Sequence, residues 1–173
     1  MRDKGLIHVY FGDGKGKTTA AVGVALRALG AGWRVGMVQF MKGYPYSEVP
    51  LLRRLKGMEL VQTGRREYVY RGRETEEDRS EARRGLAAAR RFLLDDPRDL
   101  AILDEVTVAL DYGLFSENDL LDLVDGKAPG TELILTGRFI SASLVDRADY
   151  ISEVQCRRHP YERGLLSREG IDH

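Results

Sequence analysis

Short apolar runs recur along the chain, each separated from the next by a helical spacing or a polar loop. Residues 6–11, 35–40, 100–103 and 132–136 are almost continuously apolar, which predicts strands buried on both faces. Residues 59–63 and 150–155 read as further strands, and the run from Leu100 ends in two acids, Asp104 and Glu105. Between these runs lie helical stretches. An alanine-rich helix is expected over 17–29, with Gly30 and Gly32 at its C-terminal cap. A short helix is expected over 47–56. A long one over 75–94 opens on a Thr75/Asp78 capping pattern and stops at Asp95-Asp96-Pro97. Helices over 116–124 and 141–147 complete the series, followed by a loop-like tail from His159.

Strands alternating with helices imply an α/β fold, a doubly wound, mainly parallel sheet with helices on both faces. No repeat, low-complexity linker or composition break divides residues 1–173, so a single domain is expected.

The chemistry concentrates where the first strand meets the first helix. Gly12-Asp13-Gly14-Lys15-Gly16-Lys17-Thr18-Thr19 stands at that junction. Strand, glycine loop, Lys-Thr and helix is the order of a phosphate-binding loop. Glycines let backbone N–H groups approach a polyphosphate, and the helix start adds unpaired amides and the positive end of its dipole. Lys17 can neutralise phosphate charge, and the Thr18 hydroxyl can ligate Mg²⁺. The usual G-x-x-x-x-G-K-[ST] spacing would put a glycine at position 11, where Phe11 stands. The loop is therefore short, and it carries an additional lysine, Lys15.

The other candidates sit at the carboxyl ends of predicted strands, where open parallel sheets bind ligands. Asp104 and Glu105 form a Walker B-type pair able to hold Mg²⁺ directly or through water. Lys42 is either a second phosphate contact or a solvated loop lysine. Arg138 either binds phosphate or ribose or pairs with a carboxylate. Tyr68 and Tyr70 lie in a segment rich in arginine and flanked by Gly64 and Gly72. If it is extended, both rings share one side. They either cover the core edge or form a lid facing a flat ligand.

Charge and composition narrow the partners. Lys plus Arg and Asp plus Glu both number 27, so no net basic field favours nucleic acid. No apolar run approaches a membrane span, and no secretory h-region precedes the first strand. The one cysteine, Cys156, is placed in the last strand as a buried thiol and fits a reducing cytoplasm. His8, His159 and His173 lack metal-site spacing. From the residues alone the chain binds Mg-nucleotide; which bond it breaks stays open between transfer, hydrolysis and binding without turnover.

The short loop, Gly12 to Ala21 with its extra lysine, resembles that of the P-loop-type ATP:corrinoid adenosyltransferases, which act on cob(I)alamin or cob(I)yrinic acid a,c-diamide. Val38-Gln39-Phe40-Met41-Lys42-Gly43, Leu103-Asp104-Glu105-Val106-Thr107, Leu135-Thr136-Gly137-Arg138 and Gly170-Ile171-Asp172 resemble further blocks of that family. The resemblance implies transfer of the 5′-deoxyadenosyl group of ATP to Co(I), with triphosphate as leaving group and Mg²⁺ or Mn²⁺ as the metal. The alternative is a P-loop kinase or NTPase acting at the γ-phosphate. It also implies that ATP lies across the loop in the reverse direction from ordinary P-loop enzymes. Tyr68 and Tyr70 align with a Phe and Trp wedge that removes the lower axial ligand of cobalt, and here both rings carry hydroxyls. Lys17, Tyr68 and Tyr70 are then the catalytic candidates. A flavoprotein reductant and a homodimer are expected partners. Family members can carry a longer amino-terminal segment that helps close the nucleotide site, so closure here is expected to be absent or built otherwise.

Overall fold

The structure, a computed structural model, describes residues 4–172. Its strands are β1 Ile7–Phe11, β2 Val35–Gln39, β3 Met58–Gln62, β4 Leu100–Asp104, β5 Glu132–Thr136 and β6 Tyr150–Glu153. They form one sheet in the order β3-β2-β4-β5-β1-β6, and every pairing is parallel. The helices are α1 Lys17–Gly30, α2 Val49–Leu52, α3 Glu76–Arg90, α4 Val106–Asp111, α5 Glu117–Gly126 and α6 Ala142–Val145.

Side chains of a strand alternate between faces, and that alternation sorts the core into two layers. Val35 and Met37 of β2, Leu100 and Ile102 of β4 and Ile134 of β5 face Ala21, Ala25 and Ala28 of α1 and Val49 and Leu52 of α2. Val38, Ala101, Leu103, Leu133 and Leu135 face the other way, onto α3, α4, α5 and α6. The small alanines of α1 let it lie close on the sheet. Burial of each large core aliphatic, such as Leu103 or Ile134, contributes about 1.5–3 kcal/mol.

The alternation also aims the polar residues at the strand ends. Gln39, Asp104 and Thr136 share parity with the α1-facing core residues, so they point toward the start of α1.

The doubly wound α/β expectation is met, with a fully parallel sheet. Several local expectations differ. The helix over 75–94 is α-helical only to Arg90 and then widens into a π-turn over Arg91–Asp95, which seats Phe92 and Leu93 in the core. The short helix over 47–56 contracts to α2. Helix α4 follows β4 at once; its six residues are too few for a helical period to show in sequence. Cys156 lies beyond β6 in an irregular, half-buried stretch, so it is neither a strand residue nor a core thiol. Strand β6 ends early because the chain there turns to pack along the glycine loop: Gly14 donates to the Val154 carbonyl at 2.7 Å, and Cys156 N–H donates to Asp13 Oδ1 at 2.9 Å.

Candidate nucleotide site

Three helix starts show how differently this chain treats its N-termini. α3 and α5 are closed by capping boxes, Thr75 with Asp78 and Ser116 with Asp119, and both carry acids in the first turn. α1 has neither. Its N-cap is Gly16, in the left-handed region at φ 114°, with no side-chain cap and no acid in the first turn. Its first residue is a lysine, a cation at the positive end of the dipole. The arrangement is balanced only when an anion sits over it.

The loop's other glycines have a second task. A Cβ on Gly12 would lie 2.5 Å from the Val154 carbonyl oxygen, and one on Gly14 would lie 2.7 Å from the same atom. They keep the loop flush against the segment after β6. Gly16 has no atom within 4 Å of a built Cβ, so its requirement is the positive φ alone. Lys17 folds back across the loop and donates to the Gly14 carbonyl at 2.7 Å. Burial pushes its pKa down, with the nearby Glu105 carboxylate working against that. A poorly solvated ammonium held inside an anion-shaped loop is poised for phosphate.

Asp104 is the hub beneath the loop. Its side chain is 0% exposed, and Oδ1 accepts from Thr18 Oγ1 at 2.8 Å and Thr136 Oγ1 at 2.7 Å. Oδ2 accepts from Lys42 Nζ at 2.7 Å, with Gln39 Nε2 at 3.4 Å. Lys42 also donates to Thr18 Oγ1 at 3.0 Å. Of the two readings of Lys42 open from sequence, the solvated loop lysine is excluded, because the residue is 9% exposed. Burial works against its charge, yet Asp104 outweighs that and lifts its pKa. Glu105 leaves the strand at φ 59°, a strained position for a side chain this size. Burial first, and then the Asp104 charge, raise its pKa.

Thr18, Asp104 and Glu105 are the residues able to hold a divalent cation. The described residues contain no group of three or more His, Cys, Asp or Glu arranged to hold a metal ion. A hydroxyl and two carboxylates suit a cation that takes its remaining oxygens from phosphates and water. A positive charge is accepted there: the Lys42 ammonium stands in for it between Asp104 and Thr18.

Two cavities meet at this edge of the sheet. One of about 220 Å³ is lined by Lys42, Tyr46, Glu105, Tyr112, Arg138 and Tyr68 among others. A larger one, about 1270 Å³, has Lys15, Tyr68, Arg138 and residues of the 155–172 segment in its wall. Tyr68 and Arg138 therefore belong to both walls. Arg138 is exposed and, among the described residues, makes no ion pair, so the carboxylate-pair reading of it is not realised. The two rings of the tyrosine segment share one side. Val69 is buried while Tyr68 and Tyr70 are 70% and 63% exposed, their rings edge to face at 5.0 Å. Tyr70 lines neither cavity and meets the site through the ring of Tyr68. Arg65 anchors the segment at one end, donating Nε to Asp78 Oδ1 at 2.7 Å and Nη2 to Oδ2 at 3.0 Å. Arg71 anchors the other end, paired with Asp111 and lying over the Tyr112 ring at 5.4 Å.

The additional loop lysine, Lys15, does not point into the loop. It pairs with Asp172 and donates to the Ile171 carbonyl at 2.7 Å. Gly170, Ile171 and Asp172 thereby join Thr18, Thr19, Val22, Lys42 and Tyr46 around a further cavity of about 420 Å³. The 170–172 turn therefore forms one wall of the cavity beside Thr18 and Thr19. Gln39, Tyr46, Tyr112 and Thr136 also belong to the site and were not singled out from sequence. Strand parity with Asp104 would have found Gln39 and Thr136; nothing local marks the two tyrosines.

With α1 left open to an anion and an acid of β4 facing its threonine, the fold and site define a P-loop nucleotide-binding protein. Residues 3–173 match the family described as ATP:corrinoid adenosyltransferase BtuR/CobO/CobP, and the chain belongs to it. The corrinoid adenosyltransferase of Escherichia coli K12 is 34% identical over 174 residues, covering 99% of this chain and 87% of that protein. Corrinoid adenosyltransferase CobA of Salmonella typhimurium LT2 is 33% identical, covering 100% of this chain and 88% of its own. Among solved structures, the type III secretion ATPase EscN of enteropathogenic E. coli aligns with a TM-score of 0.47 and 19% identity, over 92% of this chain and 45% of that one.

Proposed function

We propose that the protein transfers the 5′-deoxyadenosyl group of ATP to Co(I) of a corrinoid and releases triphosphate. The observation that carries this beyond family membership is the shared wall. Tyr68 and Arg138 stand between the acid-lined pocket beside the phosphate loop and a cavity of about 1270 Å³. That volume exceeds the roughly 300–1,000 Å³ of ordinary small-molecule pockets and suits a macrocycle.

In the reaction the Co(I) electron pair attacks the 5′ carbon of ATP, the carbon–oxygen bond to triphosphate breaks, and cobalt ends formally as Co(III). The chain's own part is positional and electrostatic. The α1 amides and Lys17 hold the triphosphate and stabilise the charge it gains on leaving. Thr18, Asp104 and Glu105 would hold Mg²⁺, which adds charge neutralisation at the leaving group. Arg138, which lines both cavities, fixes the nucleotide so that its 5′ carbon meets cobalt. Tyr68, backed by Tyr70, faces the corrin and displaces its lower ligand, which eases reduction from Co(II); the family resemblance and the exposure of both rings support this role.

The chain is expected to work as a single P-loop domain in the cytoplasm, as a homodimer served by a flavoprotein reductant. Family likeness is what supports those four readings. No helix among the described residues is long and apolar enough to cross a membrane.

The deciding assay incubates the protein with ATP, Mg²⁺ and chemically reduced cobalamin. Triphosphate and a new carbon–cobalt spectrum are expected in equal amounts. ADP or inorganic phosphate without that spectrum would overturn the assignment.

A further inference from the structure

The oxygens that would receive a divalent cation are already in contact with a cation of the chain. Lys42 Nζ lies 2.7 Å from Asp104 Oδ2 and 3.0 Å from Thr18 Oγ1. Thr18 gives its one hydroxyl proton to Asp104 Oδ1 at 2.8 Å, so its lone pairs are what Lys42 meets. Thr136 occupies the same Asp104 oxygen at 2.7 Å. The Tyr46 ring closes the other side, its centroid 5.1 Å from Nζ. A Mg²⁺ ion bound to Thr18 Oγ1 and Asp104 must sit about 2.1 Å from oxygens that Nζ now holds at hydrogen-bond distance. The two positive charges cannot share that volume.

We propose that Lys42 is a built-in counter-ion that fills the divalent-cation position in the nucleotide-free protein and gives it up only when metal arrives with a polyphosphate. The inference rests on the P-loop reading above.

The physical reason is charge balance. Asp104 is 0% exposed, and a buried carboxylate stripped of its partner is strongly destabilising. Lys42 can therefore leave only in exchange for another cation. The ammonium in turn needs a new anion, and free Mg²⁺ brings none. A triphosphate brings both partners at once: metal for Asp104 and phosphate oxygens for Lys42, whose flexible four-carbon stem lets the head move while the backbone stays fixed. Metal binding and nucleotide binding are then obligatorily coupled, and the empty enzyme does not collect divalent ions.

The test measures Mn²⁺ binding to nucleotide-free protein through the electron paramagnetic resonance signal of free Mn²⁺. Wild type is compared with Lys42→Met and with Lys42→Met/Asp104→Asn. The single variant should bind one Mn²⁺ at least tenfold more tightly than wild type, and the double variant should lose that gain. Equal affinity in wild type and Lys42→Met, or a gain that survives in the double variant, overturns the proposal. If Lys42→Met does not fold, wild type decides alone. Mn²⁺ bound without ATP as tightly as with it, at a site abolished by Asp104→Asn, overturns the proposal; at least tenfold weaker binding without ATP supports it. ATP binding in excess Mg²⁺ is measured in parallel by equilibrium dialysis. Intact ATP binding with unchanged Mn²⁺ affinity defeats the Lys42 role only, whereas absent ATP binding defeats the P-loop reading together with it.

Discussion

Lys17 and Tyr68 carry opposite burdens at the residue scale. Lys17 is a buried cation whose pKa is lowered by burial and whose ammonium donates to the Gly14 carbonyl of the loop. Lys17→Ala should reduce triphosphate release by roughly 100-fold or more, the size of effect seen when one preorganised charge-stabilising donor is removed. Steady-state triphosphate assays at saturating corrinoid check this, and a wild-type rate would remove the loop from the mechanism. Tyr68 is exposed and lines both cavities, whereas Tyr70 lines neither and stacks edge to face on the Tyr68 ring. Tyr68→Ala should therefore depress turnover started from Co(II) more than turnover started from pre-reduced Co(I), and Tyr70→Ala should show a weaker version of the same split. Equal losses from both starting states would argue against a role in displacing the lower ligand. Sequence pattern put both rings on one side only on condition of an extended segment, and only the fold separates the ring in the cavity wall from the ring behind it.

At the scale of elements, the start of α3 ties the tyrosine segment to the core. Asp78 closes the capping box and also receives both Arg65 hydrogen bonds. Burial raises its pKa, but the bonds from Arg65 and Thr75 outweigh burial and hold it below the usual carboxylate range. A depressed folded pKa adds stability above the unfolded carboxylate value of about 3.9, and that stability is lost as pH falls through the folded value. Asp78→Asn should cost roughly 2 kcal/mol at pH 7, from the weakened cap and the unpaired Arg65. Urea melts of both proteins should converge as pH drops below about 4. A gap independent of pH would mean that the carboxylate charge is not what stabilises the turn. The Thr75/Asp78 pairing was legible because a capping box is a four-residue pattern. The Arg65 contact was not, because it spans an irregular loop whose path no periodicity encodes.

For the whole molecule, ligand and stability are linked. A ligand that binds only the folded state stabilises it by about 2.7 kcal/mol at 100 times its Kd. For a chain of this length that corresponds to a rise in Tm of roughly 5–10 °C. Mg-ATP should produce such a shift by calorimetry, and Lys17→Ala should lose most of it while keeping a ligand-free Tm near that of wild type. The reason is topological. The phosphate loop follows β1, the acid ends β4, and β5 lies between them with Thr136 bridging to Asp104. A ligand at that edge braces three strands and α1 at once.

Local pattern alone determined the strands, most of the helices, the phosphate loop and the acid pair, because each is written in periods or spacings of a few residues. The tertiary structure decided what those parts do to one another. Asp104 meets Thr18 across 86 positions, Lys42 across 62 and Thr136 across 32. Strand parity aims these side chains at a common volume, but their meeting there depends on strand order and register, which no local period contains. For the same reason Lys42, a loop lysine open to two readings in the sequence, is in the fold the cation that balances a buried carboxylate.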